Sequence, residues 1–215
     1  MKKVHDWHWP DHEKHLIDWL RQAKPVMLNG RIAYQGTKQV AAMLHCMKFQ
    51  NAVDIGAHIG LWSYNLAAKF DHVFAFEPVS EHLDCFAKNV DARNVTLYSF
   101  ALGAAEGKVS IDTTQGSSGD SKIGKGAGSI SMKPLDYFNL SDVDFIKIDA
   151  EGFEENIILG AGETIRRSRP VIIVEQKREM ATRFGLQPLG AVKLLQKMGY
   201  TIAQELSGDY IMVRK

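Results

Sequence analysis

The chain has 215 residues, of which 45% are apolar, and its 26 basic and 25 acidic residues leave a formal net charge of +1. Such a chain can bury one continuous core and suits a single domain with a small extension. Because non-specific nucleic-acid binding comes mainly from neutralised phosphates, the near-zero charge argues against a protein that coats a polyanion.

The cysteines and the apolar runs bear on the compartment. Cys46 and Cys85 have no metal or redox spacing and are expected to be buried free thiols, which suits a reducing compartment. The first residues lack the apolar core of a signal peptide, and no segment approaches the roughly 20 apolar residues that span a bilayer. We therefore expect a soluble, cytoplasmic protein without membrane contact.

Residues 1–50 are predicted to form an N-terminal helical extension before a main domain over residues 51–215. Apolar residues fall on one stripe over 11–23, after the helix start signal of Pro10, and a second helix is predicted over 37–48. The chemical motifs lie in the main domain.

Histidines and tryptophans are concentrated in the extension. They are His5, His8, His12, His15, Trp7, Trp9 and Trp19. The histidines could share a helical face as metal ligands, but Pro10 interrupts the helix and no cysteine or acid completes a familiar spacing. The tryptophans suggest a docking surface that covers a cofactor, packs on a second subunit to form a homodimer, or contacts substrate.

In the main domain, short apolar runs alternate with helices. Strands are predicted over 51–55, 72–76, 95–100, 145–148 and 171–174, and helices over 61–70, 80–90, 153–166 and 188–198. Apolar runs without alternation indicate parallel strands buried on both faces, and right-handed crossovers make them a doubly wound α/β sheet. Two closing strands over 200–205 and 209–214 are joined by a tight turn, so the sheet ends in an antiparallel strand.

Residues 113–131 interrupt this alternation, because they are rich in Gly and Ser and poor in apolar residues. They form either the flexible loop of a β-hairpin or a mobile lid, on the side of the sheet where ligands are expected. Acceptor choice is expected to depend on this segment and on the first 35 residues.

The strongest local signal is VDIGAHIG at residues 53–60, which follows a strand and opens a helix. Its glycines let the backbone approach a ligand closely, and Glu77 ends the next strand 21 residues beyond Gly56. A carboxylate at that place can accept hydrogen bonds from both hydroxyls of a ribose.

Two cofactor classes use this arrangement. Nicotinamide dinucleotides favour G-x-G-x-x-G, because their pyrophosphate sits on the helix N-terminus, whereas the spacing here is G-x-x-x-G after Asp54. A fixed carboxylate repels a pyrophosphate but attracts the ammonium and sulfonium of S-adenosylmethionine. Asp54 and the Glu77-Pro78 pair therefore favour S-adenosylmethionine as the cofactor.

Five segments within residues 51–176 carry a resemblance to a known family: VDIGAHIG, FAFEPVSEHLDCFAKNV, SFALGAAEG, DFIKIDAEGFEENIILGAGETI and RPVIIVE. Together they resemble the FkbM-type family of class I S-adenosylmethionine-dependent methyltransferases. The resemblance implies a Rossmann-like sheet of seven strands with an antiparallel last strand. It also implies methylation of a hydroxyl, usually on a sugar or a small natural product.

The resemblance further implies positions for the cofactor. Its methionine and ribose would be lined by Asp54, Gly56, Ala57, His58 and Gly60, with Glu77 and Pro78 at the ribose, and Ser99, Phe100 and Ala101 near the adenine. Asp149 would face the reacting methyl group. The family more often has asparagine where this chain has His58, whose imidazole can make similar hydrogen bonds or reach towards the substrate.

Transfer to a hydroxyl requires in-line alignment and a base that removes the proton. Asp149, Glu151 and Glu175 follow or end two predicted strands and are the candidate catalytic carboxylates. A structural pair of Lys147 with Asp149 or Glu175 is the alternative, and Glu151 could instead charge the next helix N-terminus. The three carboxylates could also ligate Mg²⁺, but their spacing does not require it, and no metal site is predicted.

Three other functions are open to such a chain. A nucleic-acid or protein methyltransferase would share the fold, but DAEG at residues 149–152 stands where amino-directed DNA enzymes carry prolines and an aromatic residue. A non-catalytic binding protein is disfavoured by the intact Asp54, Gly56, Glu77 and Asp149. A nicotinamide oxidoreductase is disfavoured by the glycine spacing. The expected partner is therefore a small-molecule or glycan acceptor rather than nucleic acid.

Overall fold

A computed structural model describes residues 1–22, 26–124, 126, 128–177 and 180–214. Its central sheet consists of β1 Asn51–Ile55, β2 His72–Phe76, β3 Val95–Tyr98, β4 Val143–Ile148, β5 Val171–Glu175, β6 Thr201–Leu206 and β7 Asp209–Val213. The strand order is β6-β7-β5-β4-β1-β2-β3. Strand β7 is antiparallel to both of its neighbours, and the other pairings are parallel. The doubly wound sheet that the sequence predicted is confirmed.

The helices are α1 His15–Gln22, α2 Gly36–Met43, α3 Ser63–Ala67, α4 Ser80–Asn89, α5 Glu154–Leu159, α6 Gly162–Ser168 and α7 Gly190–Lys197. Two 3₁₀ turns cover Leu135–Phe138 and Ala181–Phe184. The single helix predicted over 153–166 is divided into α5 and α6 at Gly160. The backbone there is so close to a neighbouring loop that a Cβ on Gly160 would lie 2.0 Å from the carbonyl oxygen of Gly103.

Both faces of the inner strands are buried, which explains why strands such as β1 and β5 are largely apolar, whereas the edge strand β6 is mostly exposed. In β4, Ile146 and Ile148 belong to the larger hydrophobic cluster, whereas Phe145 belongs to the cluster on the opposite face. All three are at most 1% exposed. Because successive side chains of a strand point to opposite faces, such a strand needs apolar residues at every position.

The extension expected to be helical contains helices α1 and α2 but also two β-hairpins. The first pairs Lys2–Val4 with Trp7–Trp9, and the second pairs Val26–Leu28 with Arg31–Ala33. The alternation Trp-His-Trp places both indoles on one face, where they are 0% exposed, and this two-residue period favours a strand.

The Trp7–Trp9 hairpin is anchored to the main domain. The Trp7 indole donates a hydrogen bond to the carbonyl of Ile32, and the side chain of Asn89 in α4 bonds both backbone groups of His8. Trp7 and Trp9, which were expected to form a docking surface, are therefore core residues of this chain. Trp19 is 40% exposed and is the one of the three that reaches solvent.

Part of the Gly- and Ser-rich segment is ordered as a hairpin of Ile111–Thr114 with Ser117–Ile123. It adjoins a small sheet of Ala101–Leu102, Gly107–Val109 and Ile130–Lys133. The hairpin contacts α1, so the N-terminal segment and this hairpin meet above the sheet edge. Among the described residues, no helix combines the length and apolarity needed to cross a membrane.

Candidate functional site

One pocket opens where β1, β2, β4 and β5 end. The predicted site residues that line it are Gly56, Ala57, His58, Glu77, Pro78, Phe100, Ala101, Asp149, Glu151 and Glu175. The lining does not include Asp54, Gly60 or Ser99. The sheet topology therefore brings together most of the residues that the sequence singled out, because parallel strands end at one edge.

The two glycines of the β1–α3 turn serve close packing within the protein. A Cβ on Gly56, whose φ is +73°, would lie 1.9 Å from the carbonyl oxygen of Asp149. A Cβ on Gly60 would lie 2.4 Å from a methyl carbon of Val90. The turn can thus lie directly on the end of β4 and beside α4, which fixes one wall of the pocket.

Asp54 is buried beneath this turn and already has protein partners. Its Oδ2 accepts a hydrogen bond from the Ser63 hydroxyl at 2.6 Å, and its Oδ1 lies 3.2 Å from the Lys147 ammonium. Lys147 also donates to the carbonyl oxygen of Gly56 at 2.6 Å. The Lys147 ammonium therefore lies beside Asp54, where the sequence led us to expect the ammonium of the cofactor. Asp54 does not itself line the pocket, whereas Lys147 does.

Lys147 is charged despite its burial. Burial by itself lowers its pKa, but the nearby carboxylates of Asp54 and Asp149 raise the pKa above its ordinary value. Its distance to Asp149 is 4.0 Å, so the closer ion pair is with Asp54. The sequence suggested an ion pair of Lys147 with Asp149 or Glu175, whereas its closer partner in the structure is Asp54.

Glu77 is held by three N–H groups. Its Oε2 accepts from the backbone of His58 at 2.8 Å, and its Oε1 accepts from the backbone of Val79 at 2.9 Å. The His82 ring nitrogen Nδ1 lies 3.1 Å from Oε1. Oε1 thus has two hydrogen-bond partners and Oε2 has one, so a fixed Glu77 can still accept a hydrogen bond from a ligand hydroxyl through Oε2.

His58 joins the turn to the segments that cover the pocket. Its Nε2 lies 2.8 Å from the hydroxyl of Ser118 in the hairpin, and that hydroxyl bonds the carboxylate of Glu13. Glu13 is 0% exposed and also accepts the backbone N–H of Ser118. Burial, and then the neighbouring His82 and Lys147, lower the pKa of His58, so the imidazole is neutral.

Asp149, Glu151 and Glu175 form a carboxylate cluster at the ends of β4 and β5. One oxygen of each lies within 4.8 Å of the others. Burial, and then the negative charge of Asp149, raise the pKa of Glu151 to about 7 and that of Glu175 to about 9. Lys177, whose ammonium is 2.9 Å from Glu175, opposes this rise but is itself half-exposed. These carboxylates are therefore suited to exchange a proton near neutral pH.

A family model for the methyltransferase FkbM domain matches residues 54–202, which include both the glycine turn and the carboxylate cluster. The chain belongs to the FkbM methyltransferase family. The domain is that of an S-adenosylmethionine-dependent methyltransferase. No curated protein matches the sequence.

Solved structures agree with this family at the level of the fold. Methyltransferase FkbM from Methylobacillus flagellatus KT is 20% identical with a TM-score of 0.53, and 76% of this chain matches 43% of that one. A precorrin-6y C5,15-methyltransferase from Geobacter metallireducens GS-15 is 18% identical with a TM-score of 0.52, covering 88% of this chain and 92% of that one. A chain of a fibrillarin/Nop5p complex is 16% identical with a TM-score of 0.55, covering 95% of this chain and 91% of that one. The chain thus spans less than half of the FkbM structure but nearly all of the other two.

Several residues of this FkbM-family pocket were missed from the sequence as site residues. They are Glu13, Tyr34, His82, Ser118, Lys147 and Lys177. His82 lies in the first turn of α4, five residues after Glu77, so its contact could have been anticipated. Ser118 and Glu13 are 105 residues apart in the sequence, and no local sequence pattern predicts their contact. Among the described residues, the N-terminal histidines do not take part in a metal-ligand cluster.

Proposed function

We propose that this protein transfers the methyl group of S-adenosylmethionine to a hydroxyl of a sugar or small natural-product-like acceptor. The observation that carries the proposal is the carboxylate cluster of Asp149, Glu151 and Glu175 beside the glycine turn. A methyl group on a sulfonium is already activated, whereas a hydroxyl must lose its proton as it attacks. Buried carboxylates next to the methyl group can accept that proton.

The cofactor would lie along the edge of β1, β2 and β3. Gly56, Ala57 and His58 would contact its methionine and ribose, and Oε2 of Glu77 would accept a hydrogen bond from a ribose hydroxyl. Phe100 and Ala101, which line the pocket after β3, would contact the adenine. Lys147 holds Asp54 and the Gly56 carbonyl in place, so it would shape this wall without touching the ligand.

In the transfer step, the acceptor oxygen bonds to the methyl carbon while the carbon–sulfur bond breaks. The electron pair of that bond stays on sulfur, which becomes a neutral thioether, and the hydroxyl proton passes to the carboxylate cluster. Glu151 is best matched to take the proton near pH 7, because its pKa is raised to about 7. Glu175, with a pKa near 9, already holds a proton at that pH.

The cover of the pocket favours a small acceptor. The Glu13–Ser118–His58 contacts tie the N-terminal segment to the hairpin and the turn. A flipped base or a protein surface would need this side open. The acceptor would therefore be selected by the first 35 residues and by 113–131, with Tyr34 on the pocket wall. The unpaired Cys46 and Cys85 agree with activity in the cytoplasm.

Titration calorimetry with S-adenosylmethionine tests the proposal, with NAD as the comparison ligand. We expect micromolar binding of S-adenosylmethionine alone, and at least tenfold weaker binding after Glu77→Ala because the ribose loses its acceptor. The matched control is Glu81→Ala, because Glu81 is an exposed acid four residues further along, in α4, and this variant should bind as the parent does. Binding of neither ligand by the parent protein would refute the assigned pocket. A screen of sugars and hydroxylated metabolites for methylated product would then test the acceptor class.

A further inference from the structure

The carboxylate cluster is built by three separate backbone features. Ile148 at the end of β4 pairs in register with Val174, so Asp149 and Glu175 extend side by side from adjacent strands. Glu151 returns to the same place because it adopts a left-handed backbone conformation, with φ of +53°. This conformation directs the Glu151 side chain back towards the pair, so a third carboxylate joins it.

The cluster contains an unpaired buried oxygen. Glu151 is 7% exposed, and its Oε2 has no hydrogen-bond partner among the described residues. Glu175 is 5% exposed. A buried carboxylate without a partner is costly, so a fold keeps one at such a place when something else satisfies it.

The neighbouring ammonium groups do not balance the cluster. Lys147 is engaged by Asp54 at 3.2 Å and by the Gly56 carbonyl at 2.6 Å, and it lies 4.0 Å from Asp149. Lys177 contacts Glu175 alone and is half-exposed, so it can swing into solvent. Three carboxyl groups thus face one readily displaced ammonium, so no fixed cation of the protein occupies the space between them.

We propose that Asp149, Glu151 and Glu175 together bind one divalent cation, Mg²⁺ or Mn²⁺, through a carboxylate oxygen of each. In an octahedral site with bonds of about 2.0–2.1 Å, ligand oxygens lie roughly 2.9–4.2 Å apart, and the oxygens here are within 4.8 Å of one another. Small side-chain rotations complete the site. Such hard cations prefer carboxylate oxygens and keep several waters, so about three positions stay open on the pocket side.

The use of this cation rests on the proposed function. An acceptor hydroxyl that replaces one of its waters loses its proton more readily, because a bound divalent cation lowers the pKa of an oxygen ligand. The three carboxylates would then hold the ion and orient the acceptor oxygen, and the proton would pass to solvent through the waters that remain on the ion. Glu151 would take the proton only in the cation-free protein. A chelating acceptor with two neighbouring oxygens would fit the open positions best.

The test measures Mn²⁺ binding to the full chain by electron paramagnetic resonance, without methyl donor or acceptor, so its outcome does not depend on methyl transfer. We expect one Mn²⁺ per chain, displaced by Mg²⁺. Glu151→Gln and Glu175→Gln should each weaken binding at least tenfold. Both changes keep side-chain size and remove a buried charge, and melting curves verify that the variants fold.

Asp120→Asn is the matched control, because Asp120 lines the same pocket outside the cluster. It should keep Mn²⁺ affinity within threefold. The proposal is overturned if the parent protein does not bind Mn²⁺ at millimolar concentration, or if the glutamine variants bind as the parent does. It is also overturned if Asp120→Asn loses as much Mn²⁺ affinity as the two glutamine variants do. The ion would then be attracted by the overall negative charge of the pocket and not bound by the three carboxylates. Mn²⁺ binding without S-adenosylmethionine binding would refute the proposed function and leave the cation site standing.

Discussion

The two sides of the pocket differ in how their charges are balanced. On the turn side, both oxygens of Glu77 accept protein hydrogen bonds, and Asp54 is paired with Lys147 and Ser63. On the other side, Glu151 has an oxygen with no partner among the described residues, and the pKa values of Glu151 and Glu175 are raised. A balanced site keeps its geometry, whereas an unbalanced one takes up a proton or a cation. The first suits binding and the second suits chemistry.

The largest effect should come from removing a buried charge on the turn side of the pocket. Lys147→Met leaves the fully buried Asp54 without its ammonium and should lower the free energy of unfolding by about 3–5 kcal/mol. Urea denaturation measures this change. Lys177→Met is the matched control, because that lysine is half-exposed, and its loss should cost at most about 1 kcal/mol. Equal losses in both variants would show that Lys147 is no more than a peripheral charge.

The second effect separates binding from chemistry. Asp149→Asn should reduce turnover about a hundredfold, since general base and cation roles both need its charge, while donor affinity changes less than threefold. Single-turnover kinetics and calorimetry on the same variant give the two values. If turnover and affinity fall equally, Asp149 is a ligand of the cofactor and not a part of the chemical step.

The third effect is a pH dependence of stability in the presence of a chelator. Glu151 and Glu175 have folded-state pKa values of about 7 and about 9, above their ordinary value of 4.5. The folded state therefore binds more protons, and the stabilisation from this binding is lost as pH rises from about 5 to 9. The melting temperature should fall over this range. Glu151→Gln should flatten the slope and the exposed Glu163→Gln should not, so an unchanged slope in Glu151→Gln would contradict the raised pKa.

The smallest effect concerns the cover of the pocket. Ser118→Ala removes one of the three hydrogen bonds that the buried Glu13 carboxylate accepts, together with the contact to His58, which should cost about 1 kcal/mol. It should also raise KM for the acceptor more than it changes kcat. Ser117→Ala is the matched control, because the buried Ser117 hydroxyl has no partner among the described residues. If Ser117→Ala and Ser118→Ala have equal effects, the contacts of Ser118 with Glu13 and His58 do not stabilise the cover of the pocket.

The sheet and most of the pocket could be predicted because they follow from local patterns. Apolar runs located the strands, and the parallel order then placed Glu77, Asp149 and Glu175 at one edge. The partner of Lys147 could not be predicted in this way. Lys147 and Asp54 are register partners across β4 and β1, and a one-residue shift would separate them. The sequence pattern sets the strands but not their register.

The covering segments escaped prediction for different physical reasons. The Trp7–Trp9 strand is three residues long, so its two-residue period is too short to outweigh the helical stripe that follows it. The hairpin around Ser118 is rich in Gly and Ser, which permit many backbone conformations. Its conformation depends on Glu13, a contact across 105 residues that only the folded chain reveals.

The tryptophan hairpin also has a consequence for synthesis. His8 and its partner Asn89 are separated by 81 residues, which a ribosome adds in about 4–16 s at roughly 5–20 residues per second. During that interval the indoles of Trp7 and Trp9 have no complete surface to dock on, and a chaperone can bind them. The Trp7–Trp9 hairpin can therefore dock completely only after α4 has been synthesised.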